Sequence, residues 1–93
     1  MFNRILRNMQ EKIHACAYIM TPHARKEMND DELSIYDVER VILTGSIVER
    51  QKDKVTTEWK YRIKGLSVNG ENVEIVTKVS PTAKLIIIMV YAL

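Results

Sequence analysis

The 93-residue chain contains one cysteine, two prolines and three glycines. Each scarcity excludes something. A single thiol, Cys16, cannot close an internal disulfide, and nothing around it has zinc-site spacing, which points to a reducing compartment. So few glycines and prolines leave little room for a linker or a low-complexity tract, and no internal repeat is present. A long hydrophobic run is also missing. Arg4 and Arg7 open the chain, but Gln10, Glu11, Lys12 and His14 interrupt residues 8–20. Neither a signal-peptide core nor a membrane span is available there, so a cytoplasmic protein without membrane contact is expected. The net charge of +2 is too small to mark nucleic acid by itself.

What is present is ordinary for a globular chain: 46% apolar residues and 28% charged ones. Ninety-three residues are just enough for one hydrophobic core. A single domain over 1–93 is expected, in three parts: an extra N-terminal helix (1–18), a helical part (19–44) and an antiparallel sheet (45–93). The charge is segregated. Residues 1–26 hold five cations and one anion, residues 27–39 six anions and no cation, and residues 50–64 six cations and two anions. Each run is most simply a solvated face, but together they create local fields that the total conceals.

Hydrophobic period places the elements. Ile5, Leu6, Met9, Ile13, Cys16 and Ala17 follow a 3.6-residue stripe, predicting an amphipathic helix over 3–18 with Cys16 as a small buried hydrophobe. Thr21-Pro22 predicts a helix start, with threonine as cap and proline at the first helical position, running to about Asn29. Ser34-Ile-Tyr-Asp37 resembles a capping box for a third helix, buried through Ile35, Val38, Val41 and Ile42 and ended by Gly45. After Gly45 the period becomes 2. Val55–Val68 predicts a strand with Trp59, Tyr61 and Ile63 in the core and Lys60, Arg62 and Lys64 opposite. Asn69-Gly70 signals a hairpin into Val73–Val79, and Ser80-Pro81-Thr82 the next turn. "LIIIMVY" (85–91) is apolar on both faces, as a central strand would be, and Ile47–Glu49 reads as an edge strand. The expected class is α+β: N-terminal helices packed on one face of a three- to four-stranded antiparallel sheet. An apolar central strand also demands a cover for the second sheet face, supplied by the first helix, a second copy or another protein.

Two groups of residues carry candidate chemistry. His23 falls near the second position of its helix, where unpaired N–H groups suit phosphate and the positive helix end disfavours a charged imidazole. Glu27 lies one turn on and is placed to orient the ring, and Arg25 and Lys26 add cations. The plain alternative is that His23 only hydrogen-bonds a neighbouring loop. Lys60, Arg62 and Lys64 recur at roughly 6–7 Å along one strand face, a spacing that suits the phosphates of extended RNA. The plain alternative there is a solvated strand face. Tyr91 is a hydroxyl donor or a core residue, depending on strand register. No metal-ligand cluster, glycine-rich nucleotide loop or Ser/His/Asp set is present, so no cofactor is expected. Metal-free RNA cleavage is a chemistry that runs on imidazole, guanidinium, ammonium and phenol alone.

The order "YIMTPHARKEM", "LSIYDVERVILTG", "YRIKG", "NGENVEIV", "IIIMVY" resembles, over about residues 18–91, a bacterial family of domains of unknown function with a T-x-H-A motif. That family is itself distantly similar to RelE- and barnase-like toxin ribonucleases. The resemblance implies an α+β fold, RNA as substrate and an antitoxin protein as partner. It puts His23 on the family's histidine and Tyr91 on its terminal tyrosine. This chain departs from the pattern with Glu27 where the family commonly has arginine and Glu74 where it often has histidine. The expectation is a toxin-like RNA-binding or RNA-cleaving domain, with His23, Arg62 and Tyr91 as catalytic groups and Arg25, Lys26, Lys60 and Lys64 as RNA contacts. The alternative is a non-catalytic protein-interaction module whose second sheet face docks a partner or a second copy.

Overall fold

A computed structural model describes residues 2–55, 58–80 and 84–93. Its elements are α1 (Asn3–His14), β1 (Tyr18–Met20), α2 (Pro22–Asp30), α3 (Ile35–Thr44), β2 (Ser46–Lys52), β3 (Trp59–Leu66), β4 (Asn72–Val79) and β5 (Leu85–Ala92). They form a mixed α+β fold with a five-stranded sheet in the order β1-β5-β4-β3-β2. Two features correct the sequence reading. The sheet has five strands rather than three or four, and it is not wholly antiparallel, because β1 pairs parallel to β5. The extra strand lies in the segment expected to be helical. Three residues are too short to show a period, so β1 had no pattern to read.

Local signals explain the helices. Thr21 caps α2, its Oγ1 accepting from the Ala24 N–H at 3.1 Å, with Pro22 in the first turn. The Ser34–Asp37 capping box opens α3 in full: Ser34 Oγ accepts from the Asp37 N–H, and the Asp37 carboxylate accepts from the Ser34 N–H. Gly45 ends α3, but at φ −86° rather than in the left-handed form. Glycine is needed there for space. A Cβ at residue 45 would lie 2.4 Å from the Val41 carbonyl oxygen and 2.5 Å from that of Lys64. The first helix stops at His14, four residues short of the expectation. Cys16, at φ 55°, lies beyond it and is exposed instead of buried.

The core unites Met9 and Ile13 of α1, Val38, Val41 and Ile42 of α3, and Tyr61, Ile63, Val73, Ile75, Leu85, Ile87 and Val90 of the sheet. Each such aliphatic side chain contributes roughly 1.5–3 kcal/mol on burial. Met9 and Thr77 are both fully enclosed and touch at 3.6 Å, so α1 sits on the sheet face that bears this core. It does not cover the other face. Trp59, expected in the core, is 42% exposed at the end of its strand. That strand begins at Trp59 rather than Val55; Val55 is in a turn, and Thr56 and Thr57 lie outside the described residues. Pro81 and Thr82 of the expected turn also lie outside them.

Candidate functional site on the open sheet face

Strand register decides which side chains meet. On β3, Tyr61 and Ile63 turn to the core, so Lys60, Arg62 and Lys64 share the opposite face. On β4, Glu74 pairs with Lys64 on one side and Tyr91 on the other, which puts all three on that face. Two irregularities complete the group. The β2–β3 register shifts between Ile47 and Glu49, and the bulged Val48 leaves Glu49 opposite Arg62. The β4–β5 register shifts between Val76 and Thr77, so that Val76 faces Met89 and Ile88 is the extra residue. A bulge reverses the facing of everything beyond it. Without these two, Glu49 and Tyr91 would point into the core.

The result is a short polar chain. The Tyr91 hydroxyl donates to Glu74 Oε2 at 2.6 Å. The same oxygen stands 3.6 Å from Arg62 Nε, and Arg62 Nη2 donates to Glu49 Oε2 at 3.3 Å. The Glu74 side chain is only 11% exposed. Arg62 Nε is enclosed and has no hydrogen-bond partner among the described residues. Burial, and then the Glu74 contact, raise the Tyr91 pKa above the ordinary phenol value, so Tyr91 stays protonated. Arg62, Tyr91, Lys60, Glu49, Val76 and Met89 line a cleft of about 180 Å³.

His23 stands at the sheet's edge. Its Nε2 lies 3.3 Å from Glu27 Oε1, and its side chain is 65% exposed. That same carboxylate oxygen accepts from the Val90 N–H at 3.2 Å, one residue before Tyr91. Asp31 accepts from the Ala92 N–H at 2.8 Å. Beyond the end of β1, then, carboxylates from α2 and its C-terminal cap take the place of a strand along the edge of β5. Glu27, read from the sequence as a group to orient His23, also closes a backbone donor.

The expected RNA contacts divide. Lys60 pairs with Asp53 at 3.3 Å, whereas Lys64 is exposed beside Arg62. Arg25 lines a different cleft, with Tyr18 and Ile35, and Lys26 pairs with Asp30 at 2.8 Å. The structure therefore brings Lys60, Arg62 and Tyr91 together and leaves Arg25 and Lys26 apart from them. Sequence reasoning missed Glu49 as a member of the group and left the facing of Glu74 open, because it depends on strand register. Among the described residues, no group of three or more His, Cys, Asp or Glu is placed to share a metal ion. No helix among them is long and apolar enough to cross a membrane.

The fold and site define a small α+β domain with a charged group on an open sheet face. The chain belongs to the DUF4258 family, a domain of unknown function, whose model matches residues 20–92. No curated protein and no solved structure matches it.

Proposed function

We propose that this chain is a cytoplasmic, toxin-like domain that binds and cleaves RNA without a metal, its site centred on Glu74, Arg62 and Tyr91. The observation that carries this reading is the pair of bulges. Independent irregularities in β2 and β5 each turn one polar side chain onto the same carboxylate–guanidinium pair. Bulges that re-aim side chains recur beside active sites. In this reading Glu74 takes the proton of a ribose 2′-hydroxyl as its oxygen attacks phosphorus. Arg62 and Lys64 stabilise the crowded phosphate, and as the P–O5′ bond breaks the 5′-oxygen takes a proton from water, giving a 2′,3′-cyclic phosphate; the hydroxide left behind recovers the proton held by Glu74. Tyr91 holds Glu74 in place. His23 serves at the rim as phosphate contact, and an antitoxin protein would cover the open face.

The test is incubation of single-stranded RNA with the purified chain in excess chelator, beside Arg62→Ala, Glu74→Gln, Tyr91→Phe and His23→Ala. Wild-type cleavage lost in Arg62→Ala and Glu74→Gln supports the reading. Absence of cleavage together with absence of salt-sensitive RNA binding would overturn it.

One observation favours a second reading, a non-catalytic interaction module. Three of the strand cations already have carboxylate partners: Arg62 with Glu49 and Glu74, Lys60 with Asp53, Lys78 with Glu58. Ile19, paired in register with Ile86, is 49% exposed. Such a surface suits another folded chain, and sedimentation of the purified protein as a stable dimer that ignores RNA would favour it.

A further inference from the structure

A second, unrelated opening lies on the helix-bearing side of the molecule. Arg50, Lys52, Trp59 and Tyr61 share that side, because Arg50 pairs with Tyr61 and Lys52 with Trp59. The Arg50 guanidinium carbon stands 4.1 Å from the centre of the Trp59 ring and 5.8 Å from that of Phe2. Lys52 Nζ is 5.9 Å from the indole centre. Trp59 also lines a cleft of about 470 Å³, walled by Arg4, Ile5 and Asn8 of α1, by Tyr61 and Val79 of the sheet, and by Glu58, whose carboxylate pairs with Lys78 at 3.0 Å. Arg50 and Lys52 do not line it; they reach it only through the indole they flank.

We propose that this cleft binds a nucleotide of single-stranded nucleic acid, its base stacked on Trp59 and its phosphate drawn by Arg4, with Asn8 meeting the base edge. Three observations support this ligand class. The cleft volume lies within the roughly 300–1,000 Å³ range of small-molecule sites, and its walls are largely apolar. A half-exposed indole gripped by guanidinium is held rigid, so stacking on it costs little further ordering. The Arg4 and Asn8 side chains carry no hydrogen bond or ion pair among the described residues, leaving a cation and a carboxamide free at the opening. With Arg50 and Lys52 beside the ring and the Glu58 carboxylate already paired with Lys78, the surroundings favour an anionic, flat ligand over an apolar peptide. The family match begins at Met20, so α1 and three of the cleft's walls lie outside it. The inference thus goes beyond the sheet-face reading and does not depend on it.

Trp59 is the chain's single tryptophan, and its fluorescence reports on the cleft directly. Titration of the intact chain with adenosine 5′-monophosphate and with single-stranded oligoadenylate is expected to give saturable quenching. Trp59→Ala is expected to weaken binding of a labelled oligoadenylate, followed by anisotropy, by roughly 5- to 150-fold, the span of one lost base stack. Trp59→Phe, which keeps a stacking face, is expected to lose less, and Arg4→Ala to lower the salt dependence. Quenching that persists in Glu74→Gln supports the cleft as a separate site, whether or not RNA is cleaved. RNA cleavage by a chain whose indole ignores both ligands overturns this proposal while leaving the sheet-face reading intact. Quenching by an apolar peptide but by neither nucleotide also overturns it.

Discussion

Replacing Asp37 should uncouple the start of α3 from the β3–β4 turn. Its carboxylate accepts from the Ser34 N–H at 2.8 Å, the Ser34 hydroxyl at 3.1 Å and, 31 residues away in sequence, the Val68 N–H at 2.9 Å. Losing a helix cap costs about 0.5–2 kcal/mol, and a charged hydrogen bond between elements about 1.5–3 kcal/mol. Discounted for partial exposure, the sum for Asp37→Ala is about 2–3 kcal/mol, or roughly 8–24 °C in Tm for a domain of this size. Asp37→Asn keeps an acceptor oxygen and should lose about half as much. The hydrogen bonds from Ser34 and then Val68 hold the carboxyl below its ordinary pKa. Its stabilisation is therefore complete above the unfolded value near ~3.9 and disappears as pH falls through the lower folded value. Urea unfolding of wild type and Asp37→Ala should show the full gap at pH 7 and a closing gap in acid. A gap under ~0.5 kcal/mol at pH 7, or one unchanged at the acid limit, would refute the assignment. In a double-mutant cycle, Ser34→Ala and Asp37→Ala should together cost less than their sum, because both break one box.

Gly45→Ala should destabilise by ~3 kcal/mol in thermal melts despite an ordinary φ, since both neighbours that the new Cβ meets are backbone carbonyl oxygens. A Gly45→Ala variant as stable as wild type would mean that α3 and β3 can separate freely. Glu27→Ala should leave the Val90 N–H without its acceptor, costing about 1–2 kcal/mol and speeding amide exchange at Val90, with Glu27→Gln close to wild type. Unchanged exchange at Val90 would remove the carboxylate from the edge. Burial, and then the hydrogen bond to Glu39, push the Tyr18 pKa up to about 12. The fold thus favours the protonated phenol, and this stabilisation, complete below about 10, is lost as pH rises to about 12. Tyr18→Phe should flatten that alkaline loss, read as unfolding midpoint against pH.

Much of the helical half was legible because its signals are local. Thr21-Pro22 and Ser34-x-x-Asp37 mark their own helix starts, and Gly45 marks an end, although through contact rather than backbone handedness. The site was less legible because it depends on register. Asn69-Gly70 suggests a two-residue turn, yet residues 67–71 form a five-residue loop, Ser67 N–H donating to the Glu71 carbonyl at 2.8 Å. A two-residue turn would set Lys64 opposite Ile75, a charged residue against an apolar one. Alternation along both strands rejects that pairing and calls for a loop of odd length, which places Glu74 beside Lys64. The bulge at Ile88 left no such trace. In "LIIIMVY" either facing buries an aliphatic side chain, so the step that turns Tyr91 toward Glu74 is invisible to hydrophobic pattern. The exposure of Trp59 has a simpler cause: it is the first residue of its strand, where the core ends.

The parallel seam between β1 and β5 also dictates an order of assembly. Thr21 and Ile88 are 67 residues apart, and the hydroxyl of one donates to the carbonyl of the other. The meander of β2, β3 and β4 needs only neighbouring chain to form. The edge that β1 and α2 complete has no counterpart until β5 arrives. A growing chain would therefore hold Tyr18, Glu27 and Asp31 in waiting until β5 leaves the ribosome, and only then close the molecule. Disruption of β5 should be felt far back in the sequence, as fraying of α2, while the β2–β3 and β3–β4 hairpins keep their pairing.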